Sequence, residues 1–437
     1  MRVRTGNTLD VPLCITFYKT SKPETNERLF QGDVQSFLIT FDFYFDNLGQ
    51  AGYLWVMFAG HGVAEAPPRA GPVAPALWQT WNKEKNLMNS EQSSPGFLDR
   101  MLARGVVPDF LIRMGIRSLN RARLKEEWKG DAEAQQAHFQ AFREELERSP
   151  VAVRTDAANE QHYEVPAIFY DYVLGARKKY SSCLWEGGIR DLDGAEEAML
   201  ARYLRSAELK DGQSILELGC GWGSLTLYMA EKLPKAKITA VSNSASQKRY
   251  IESQARQKGL KNIKIITADM NDFKIRSTFD RVISIEMFEH MRNYRELFSR
   301  VHGWLKKNGK LFIHVFAHRE FSYFFEEEGE SNWMGRYFFS GGIMPSNHLY
   351  LYYADGFQLE DHRVINGKNY QKTARAWLEN MDRHKAKIKD LFNGVYGSDQ
   401  SDTWVEYWRI FFMACEELFG TRDGNEWFVS HYRFRKI

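Results

Sequence analysis

Residues Ser214-Ile-Leu-Glu-Leu-Gly-Cys-Gly-Trp-Gly-Ser224 decide the fold. Ile215 and Leu216 are apolar strand formers, and beyond the glycines apolar residues recur at Leu225, Leu227 and Met229, as in a helix that follows a buried strand. The segment reads as a strand running into a glycine turn and straight into that helix. Gly219, Gly221 and Gly223 carry no Cβ, so the turn can be tight and a ligand can approach the backbone closely. A phosphate-binding loop wants a Lys-Ser/Thr pair after its glycines, and none follows here. Glu217 stands before the turn instead. Such an acid suits a positively charged or hydroxyl-rich ligand rather than a pyrophosphate.

Outward from this turn, short apolar strand candidates alternate with amphipathic helices. The strands are Ser214–Leu218, Lys237–Val241, Ile263–Thr267, Arg281–Ile285 and Lys310–His314, with helical patterns at Leu225–Leu233 and Gln247–Lys258 between them. That alternation implies parallel strands with right-handed crossovers, a doubly wound α/β sheet. Ligands on such sheets bind at the carboxyl ends of the strands. An aromatic-rich insertion, Phe321 to His348, interrupts the alternation, and Glu426-Trp-Phe-Val-Ser-His-Tyr-Arg-Phe434 alternates like a final strand.

At 437 residues the chain is too long for one ordinary domain. Its division is expected as an unassigned N-terminal extension over 1–95, a helical cap over 96–155 and the α/β domain over 156–437. The extension holds an aromatic, strand-like stretch from Phe37 to Phe45, another from Tyr53 to Phe58, and a Pro/Ala/Gly linker from Ala64 to Ala76. In the cap, Phe110, Leu111, Met114 and Leu119 recur near helical spacing while Arg113, Arg117 and Arg121 fall four apart on another face. That basic face is expected to be solvated, or to lie on an anionic membrane surface as a peripheral contact. Hydrophobic residues at 43% and aromatics at 14% are ample for a large core. The formal charge of +3 makes no electrostatic case for nucleic acid. Cys14, Cys183, Cys220 and Cys415 are scattered without a C-x-x-C pair, which fits a reduced, cytoplasmic protein without a metal site. No apolar run reaches the roughly 18 residues that would span a bilayer, and a secretory leader pattern is not expected.

The E-L-G-C-G-W-G block resembles the S-adenosylmethionine loop of class I methyltransferases. Its tryptophan makes it similar to the cyclopropane fatty acid synthase and coclaurine N-methyltransferase superfamily, nearer the coclaurine N-methyltransferase-like branch. Further blocks carry the resemblance in order: Asn159-Glu-Gln-His-Tyr-Glu-Val-Pro166, similar to a segment that lids the cofactor; Lys179-Tyr-Ser-Ser-Cys-Leu-Trp185; Val241-Ser-Asn-Ser-Ala-Ser-Gln247; and Ile285-Glu-Met-Phe-Glu-His-Met291. The resemblance spans about Asn159 to the C-terminus and implies a Rossmann-like, mostly parallel seven-stranded sheet. It also implies S-adenosyl-L-methionine as cofactor. Glu217, Gly219 and Gly221 would take its amino-acid and ribose side, with Tyr180 and Ser181 closing over its carboxylate. Ser242, Asn243 and Gln247, past the second strand, can bind ribose hydroxyls, although Ser and Asn at a helix start often act as caps. Asp269, past the third strand, is placed for the adenine amino group, with Met270 packing on the ring.

Glu286, Glu289 and His290 follow the fourth strand. If a helix starts there they fall at i, i+3 and i+4 and converge on one face. Two acids and a histidine can hold an ammonium, accept its proton or orient a base. The plant alkaloid N-methyltransferases carry the same Glu-x-x-Glu-His arrangement as substrate and catalytic residues. Cyclopropane synthases instead bind bicarbonate through a Tyr-Ser-Cys cysteine, the Glu of F-E-H, a later His and a Tyr. Here Glu289, His314 and Tyr370 match. Position 182 is serine, and Cys183 comes one place later, facing the other way if the segment is extended. Ser182 and Cys183 thus mark a weakened bicarbonate or substrate site. The aromatic residues Phe321, Tyr323, Phe324, Phe325, Trp333, Tyr337, Phe338 and Phe339 are expected mostly to pack a core, two or three at most touching substrate, and Glu326–Glu328 to be solvated. The resulting expectation is N-methylation of a small amine, aromatic amines included. Cyclopropanation or methylation of unsaturated acyl chains of phospholipids is the alternative, and a non-catalytic cofactor-binding protein a remote one.

Overall fold

The computed structural model describes residues 100–153, 165–325 and 332–437 with their side chains, and the backbone of the strands near the N-terminus and of residues 97–99. The chain divides into two compact units, Met1–Leu98 and Asp99–Ile437. In the first, β1 (Leu13–Tyr18), β2 (Ser36–Tyr44) and β3 (Ala51–Ala59) form an antiparallel sheet in the order β1-β2-β3. The two aromatic stretches expected as strands are β2 and β3. The Ala64–Ala76 linker lies outside the described residues.

From Asp99 the second unit holds the remainder of helix α1 (Phe97–Ala103), then α2 (Asp109–Glu127) and α3 (Ala132–Arg148). The Asp131 carboxylate accepts the Ala134 N–H at 2.8 Å and starts α3, as a helix cap should. Its buried Phe139, Phe142 and Leu146 recur at helical spacing, each contributing roughly 1.5–3 kcal/mol on full burial. After α4 (Ala167–Val173) and α5 (Leu192–Ser206) come β4 (Ser214–Leu218), α6 (Ser224–Lys232), β5 (Lys237–Ser242), α7 (Ala245–Gln257), β6 (Ile263–Thr267) and β7 (Phe279–Ile285). Then follow α8 (Tyr294–Trp304), β8 (Leu305–His318), the short β9 (Tyr323–Phe324), α9 (Trp333–Tyr337) and β10 (Ile343–Met344). The chain continues through β11 (Phe357–Ile365), α10 (Lys368–Arg383), α11 (Lys385–Tyr396), α12 (Ser401–Gly420) and β12 (Trp427–Lys436).

The main sheet runs β11-β12-β8-β7-β4-β5-β6. Strands β4 to β8 pair in parallel, and β12 is antiparallel to both β8 and β11. This is the mostly parallel, seven-stranded, doubly wound sheet expected from the sequence. Strands β4, β7 and β8 are buried along most of their length, as sheets covered on both faces require. Their carboxyl ends open on a cavity that Tyr170 of α4, Tyr370 and Trp377 of α10 and Phe411 of α12 also line.

The basic face of α2 differs from expectation. Arg113 reaches Glu416 and Glu417 of α12 at 2.8 Å each, and Arg117 reaches Glu417 at 2.6 Å. Glu416 is 1% exposed in its side chain, so Arg113 ties α2 to α12, whereas Arg117, 55% exposed, pairs with Glu417 and still faces solvent. The partner acids lie some 300 residues along the chain, beyond the reach of a local pattern. Among the described residues no helix is long and apolar enough to cross a membrane.

Candidate active site

The glycine turn after β4 is built as its sequence requires. Gly219 has φ +75°, and a Cβ there would lie 2.6 Å from Met287 Cγ. Gly223, at the start of α6 with φ +81°, would put one 2.6 Å from Ile251. Gly221, at φ +51°, has open space where a Cβ would stand and lines a cavity at the strand ends. Glu217 is buried at the same place, accepts the Thr226 hydroxyl at 2.5 Å, and is pushed up to about 8 by burial. Ser224, next to the turn, lines the cavity with its buried hydroxyl unpartnered among the described residues.

At the end of β5 the Ser242 hydroxyl donates to Gln247 Oε1 at 2.6 Å. The cap of α7 is Ser244, whose oxygen accepts the Gln247 N–H, so neither Ser242 nor Asn243 serves as the cap. Past β6, Asp269 Oδ1 accepts the Asn271 N–H at 2.7 Å. Asn271 in turn exchanges two 3.0 Å hydrogen bonds with the Ala152 backbone. Tyr180, Ser181, Glu217, Gly219, Gly221, Ser242, Asn243, Gln247, Asp269 and Met270 all line the one cavity, and Ala152 and Val153 line it too. Of the segment expected as a lid, residues 159–164 lie outside the described residues.

Glu286, Glu289 and His290 face the same cavity, but not from an α-helix. Glu286 leaves β7 in the left-handed region at φ +45°, and Phe288–His290 form a single 3-10 turn. The Tyr294 hydroxyl anchors that turn by donating to the Phe288 carbonyl at 2.6 Å. The strand end and the tight turn, rather than helical spacing, bring the three side chains together. The Glu286 carboxylate is a hub. Oε1 accepts the Ser182 backbone N–H at 2.9 Å and His314 Nε2 at 3.0 Å, and Oε2 accepts the Tyr370 hydroxyl at 2.7 Å. Burial raises its pKa, while Lys179, the Ser182 N–H, the Tyr370 hydroxyl and His290 oppose the rise. Glu289, 1% exposed, has its Oε2 unpartnered among the described residues. Burial first and the Glu286 charge second drive its pKa well above the usual carboxylate range. Of the two acids, Glu289 is pushed further toward its protonated form. The His290 ring stacks on Phe339 with centroids 4.7 Å apart.

Ser182, Cys183 and His314 do not line the cavity, whereas Tyr370 does. The Ser182 hydroxyl turns to the Cys183 carbonyl at 3.4 Å. Cys183 is fully buried against the Ser181 carbonyl, its thiol pushed up to about 12 by burial. Of the expected aromatic group only Phe339 lines the cavity, joined by Phe316, Trp377 and Phe411 from elsewhere. Phe338 stacks on Phe411 and Phe321 on His318, in the core. Glu326–Glu328 lie outside the described residues. Lys179 lines the cavity unanticipated: its ammonium donates to Ser181 Oγ at 2.5 Å and the Ser182 carbonyl at 2.7 Å, and burial lowers its pKa. Tyr203 was also unanticipated there. Its only sequence signal is a polar residue inside an otherwise apolar helix stripe.

Comparison with known proteins agrees with this architecture. Residues 152–427 match the family described as mycolic acid cyclopropane synthetase. The chain is 36% identical over 341 residues to (S)-coclaurine N-methyltransferase of Thalictrum flavum subsp. glaucum, covering 77% of this chain and 94% of the relative. It is 28% identical over 276 residues to the cyclopropane-fatty-acyl-phospholipid synthase of Escherichia coli (strain K12), covering 62% and 67%. A crystal structure of coclaurine N-methyltransferase bound to N-methylheliamine and SAH superposes with a TM-score of 0.75 at 35% identity, covering 78% of this chain and 99% of that one.

Proposed function

We propose, because the chain belongs to the mycolic acid cyclopropane synthetase family of S-adenosylmethionine-dependent methyltransferases, that its site methylates the nitrogen of a small amine. The observation that carries this reading is the Glu286 hub. The Ser182 N–H, His314 Nε2 and the Tyr370 hydroxyl converge on its carboxylate. His314 and Tyr370 are the residues that the cyclopropane synthase resemblance assigns to bicarbonate. In this chain the anion they hold is a side chain of the protein itself. A fixed carboxylate beside a second buried acid suits a cationic amine better than a bound, exchangeable base.

The cavity fits the cofactor. Three left-handed glycines keep side chains off the turn, Ser224 offers an unpartnered buried hydroxyl among the described residues, and the β5 and β6 ends present Ser242, Asn243, Gln247 and Asp269. Glu217, Gly219, Gly221, Tyr180 and Ser181 would hold the amino-acid and ribose part, and Met270 would cover the base. Bound there, S-adenosylmethionine supplies a sulfonium methyl carbon for displacement by a nitrogen lone pair. Glu286, held rigid by its three donors, orients the amine. His290, on the same turn, takes the N–H proton. Glu289 supplies its unpartnered oxygen to the nitrogen, and Phe339, Tyr370 and Trp377 line the cavity, where aromatic rings can add cation–π attraction to an ammonium. Alignment of nitrogen, methyl and sulfur supplies most of the acceleration. We place the enzyme in the cytoplasm, in keeping with its free Cys183, Cys220 and Cys415.

The test is transfer of an isotope-labelled methyl group, read by mass spectrometry. Substrates are a panel of secondary and tertiary amines, coclaurine and heliamine included, and vesicles of unsaturated phospholipid. Label in amine products supports the reading. Label in cyclopropane or methyl-branched acyl chains overturns it.

A further inference from the structure

Behind Glu286 lies a buried chain of polar rings, of which only His314 touches its carboxylate. His314 on β8 and His431 on β12 are directly paired across the two strands. His314 is 0% and His431 2% exposed, and His431 does not line the cavity. His314 Nε2 faces Glu286 Oε1 at 3.0 Å, and His314 Nδ1 faces His431 Nε2 at 2.8 Å and the Tyr203 hydroxyl at 3.0 Å.

With Glu286 as the carboxylate, these contacts imply one set of proton positions. A carboxylate oxygen only accepts, so the His314 nitrogen facing it must donate, and Nε2 carries the hydrogen. In a neutral ring Nδ1 is then a lone pair. Burial holds both imidazoles well below their usual range, so both are neutral. Two lone pairs 2.8 Å apart would repel, so His431 carries its hydrogen on Nε2 and donates to His314 Nδ1. If that donor were lost, and Tyr203 with it, His314 could take the other tautomer. Its Nε2 lone pair would then face the carboxylate, and the clamp on Glu286 would fail.

We infer that His431 is a positioning residue for methyl transfer, acting with Tyr203 to hold His314 in the tautomer whose Nε2–H clamps Glu286. The inference rests on the role given to Glu286 above. It puts a requirement of the reaction on the last strand of the sheet, one side chain removed from the cavity. A strand residue there needs no imidazole for packing alone, since its neighbours Val429, Tyr432 and Phe434 are buried without one.

The first experiment needs no substrate: NMR of the full chain labelled with [15N]histidine, with His314 and His431 assigned by their single variants. The expected result is protonation of Nε2 and not Nδ1 on both rings. A proton on His314 Nδ1 in the wild type would overturn the inference. The second is kinetic, with coclaurine as the amine probe. His431→Gln, whose amide can still donate, should keep kcat within roughly threefold. The double variant Tyr203→Phe/His431→Leu should lose roughly tenfold or more, the scale of a hydrogen bond to a charged group, with S-adenosylhomocysteine affinity unchanged. Equal loss in Tyr203→Phe/His431→Gln and Tyr203→Phe/His431→Leu, or loss that follows cofactor affinity, would mean packing alone and overturn it. If no amine is methylated at all, the labelling result still decides the tautomer, which separates failure of this inference from failure of the amine reading.

Discussion

Glycine in place of Glu286 makes the sharpest test of the built-in anion. The substitution removes the acceptor of three hydrogen bonds and leaves the Ser182 N–H, His314 Nε2–H and Tyr370 hydroxyl aimed at the space the carboxylate filled. Two effects on stability oppose each other. Each buried donor left unpaired costs about 1–3 kcal/mol. Glycine accepts φ +45° without the roughly 1–2 kcal/mol penalty of a left-handed non-glycine residue. The net loss lowers Tm by several degrees and leaves the domain folded. Methylation of an amine should fall by roughly 10²–10⁴-fold, the scale of a lost acid–base group. Formate or bicarbonate can then enter, since each offers two oxygens to the same three donors, and either should restore at least about a tenth of the lost rate. Glu289→Gly is the control. Its Oε2 has no partner among the described residues, so no set of donors waits for an anion and no rescue follows. The assay is initial rate against anion concentration at fixed ionic strength, with cofactor affinity measured alongside. A Glu286→Gly enzyme that binds cofactor but ignores both anions, or a wild type that itself accelerates with bicarbonate, would refute the reasoning.

Gly221→Val should abolish S-adenosylmethionine binding in calorimetric titration while the protein stays folded, because the new side chain meets φ +51° and projects into the cavity. Glu217→Gln should change the pH dependence of stability. The folded state keeps its proton up to about 8, against 4.5 for an ordinary glutamate, so between pH 6 and 8 the unfolded chain binds fewer protons. Unfolding free energy then falls by roughly 1.4 kcal/mol per pH unit. Urea denaturation of the variant should lack that component of the slope, and an unchanged slope would deny the raised pKa. Ser182→Cys should alter kcat by less than about threefold, since that side chain faces the Cys183 carbonyl and not the cavity. A large bicarbonate-dependent gain in that variant would restore the acyl-chain alternative.

Much of the fold was legible because buried parallel strands are short apolar runs. Ser214–Leu218 and Ile263–Thr267 were read to the residue, and the alternating pattern near the C-terminus is β12. Strand β11 was not read, since an edge strand with Gln358, Glu360, Asp361 and Arg363 mostly solvent-facing lacks both the apolar run and a clean alternation. β8 starts earlier than its apolar core because Lys306, Lys307 and Asn308 precede it, residues that strand patterns exclude. The three-residue 3-10 turn is too short to carry a period, so helical spacing was assumed where left-handed Glu286 breaks the chain. The polar side chains at strand ends followed from topology. Lys179, Tyr203 and His431 did not, because whether a polar residue faces a cavity depends on partners far away in sequence.

The deepest difference between reading and structure concerns two sites that are one. Glu286, Glu289 and His290 read as a substrate trio, while Ser182, Cys183, His314 and Tyr370 read as an anion or substrate site that shared only Glu289 with it. In the fold, the donors of the second set bind the first residue of the first set. The join depends on a left-handed backbone at the end of β7, which turns the Glu286 side chain back toward β8 and α10. The consequence is chemical. A base that must collect a proton from a carbocation on an acyl chain works best as a small, exchangeable ion. A carboxylate held by three donors from three parts of the chain cannot move to meet such a centre, but it offers a fixed negative charge to a nitrogen that arrives as a cation. Burial pushes the pKa of Glu289 well above the usual carboxylate range, and the Glu286 charge adds to that rise. Under the proposed function, Glu286 with its three donors, the more strongly raised acid Glu289 and His290 would stand together before the amine nitrogen, and that arrangement, more than any single residue, would favour nitrogen methylation over cyclopropanation.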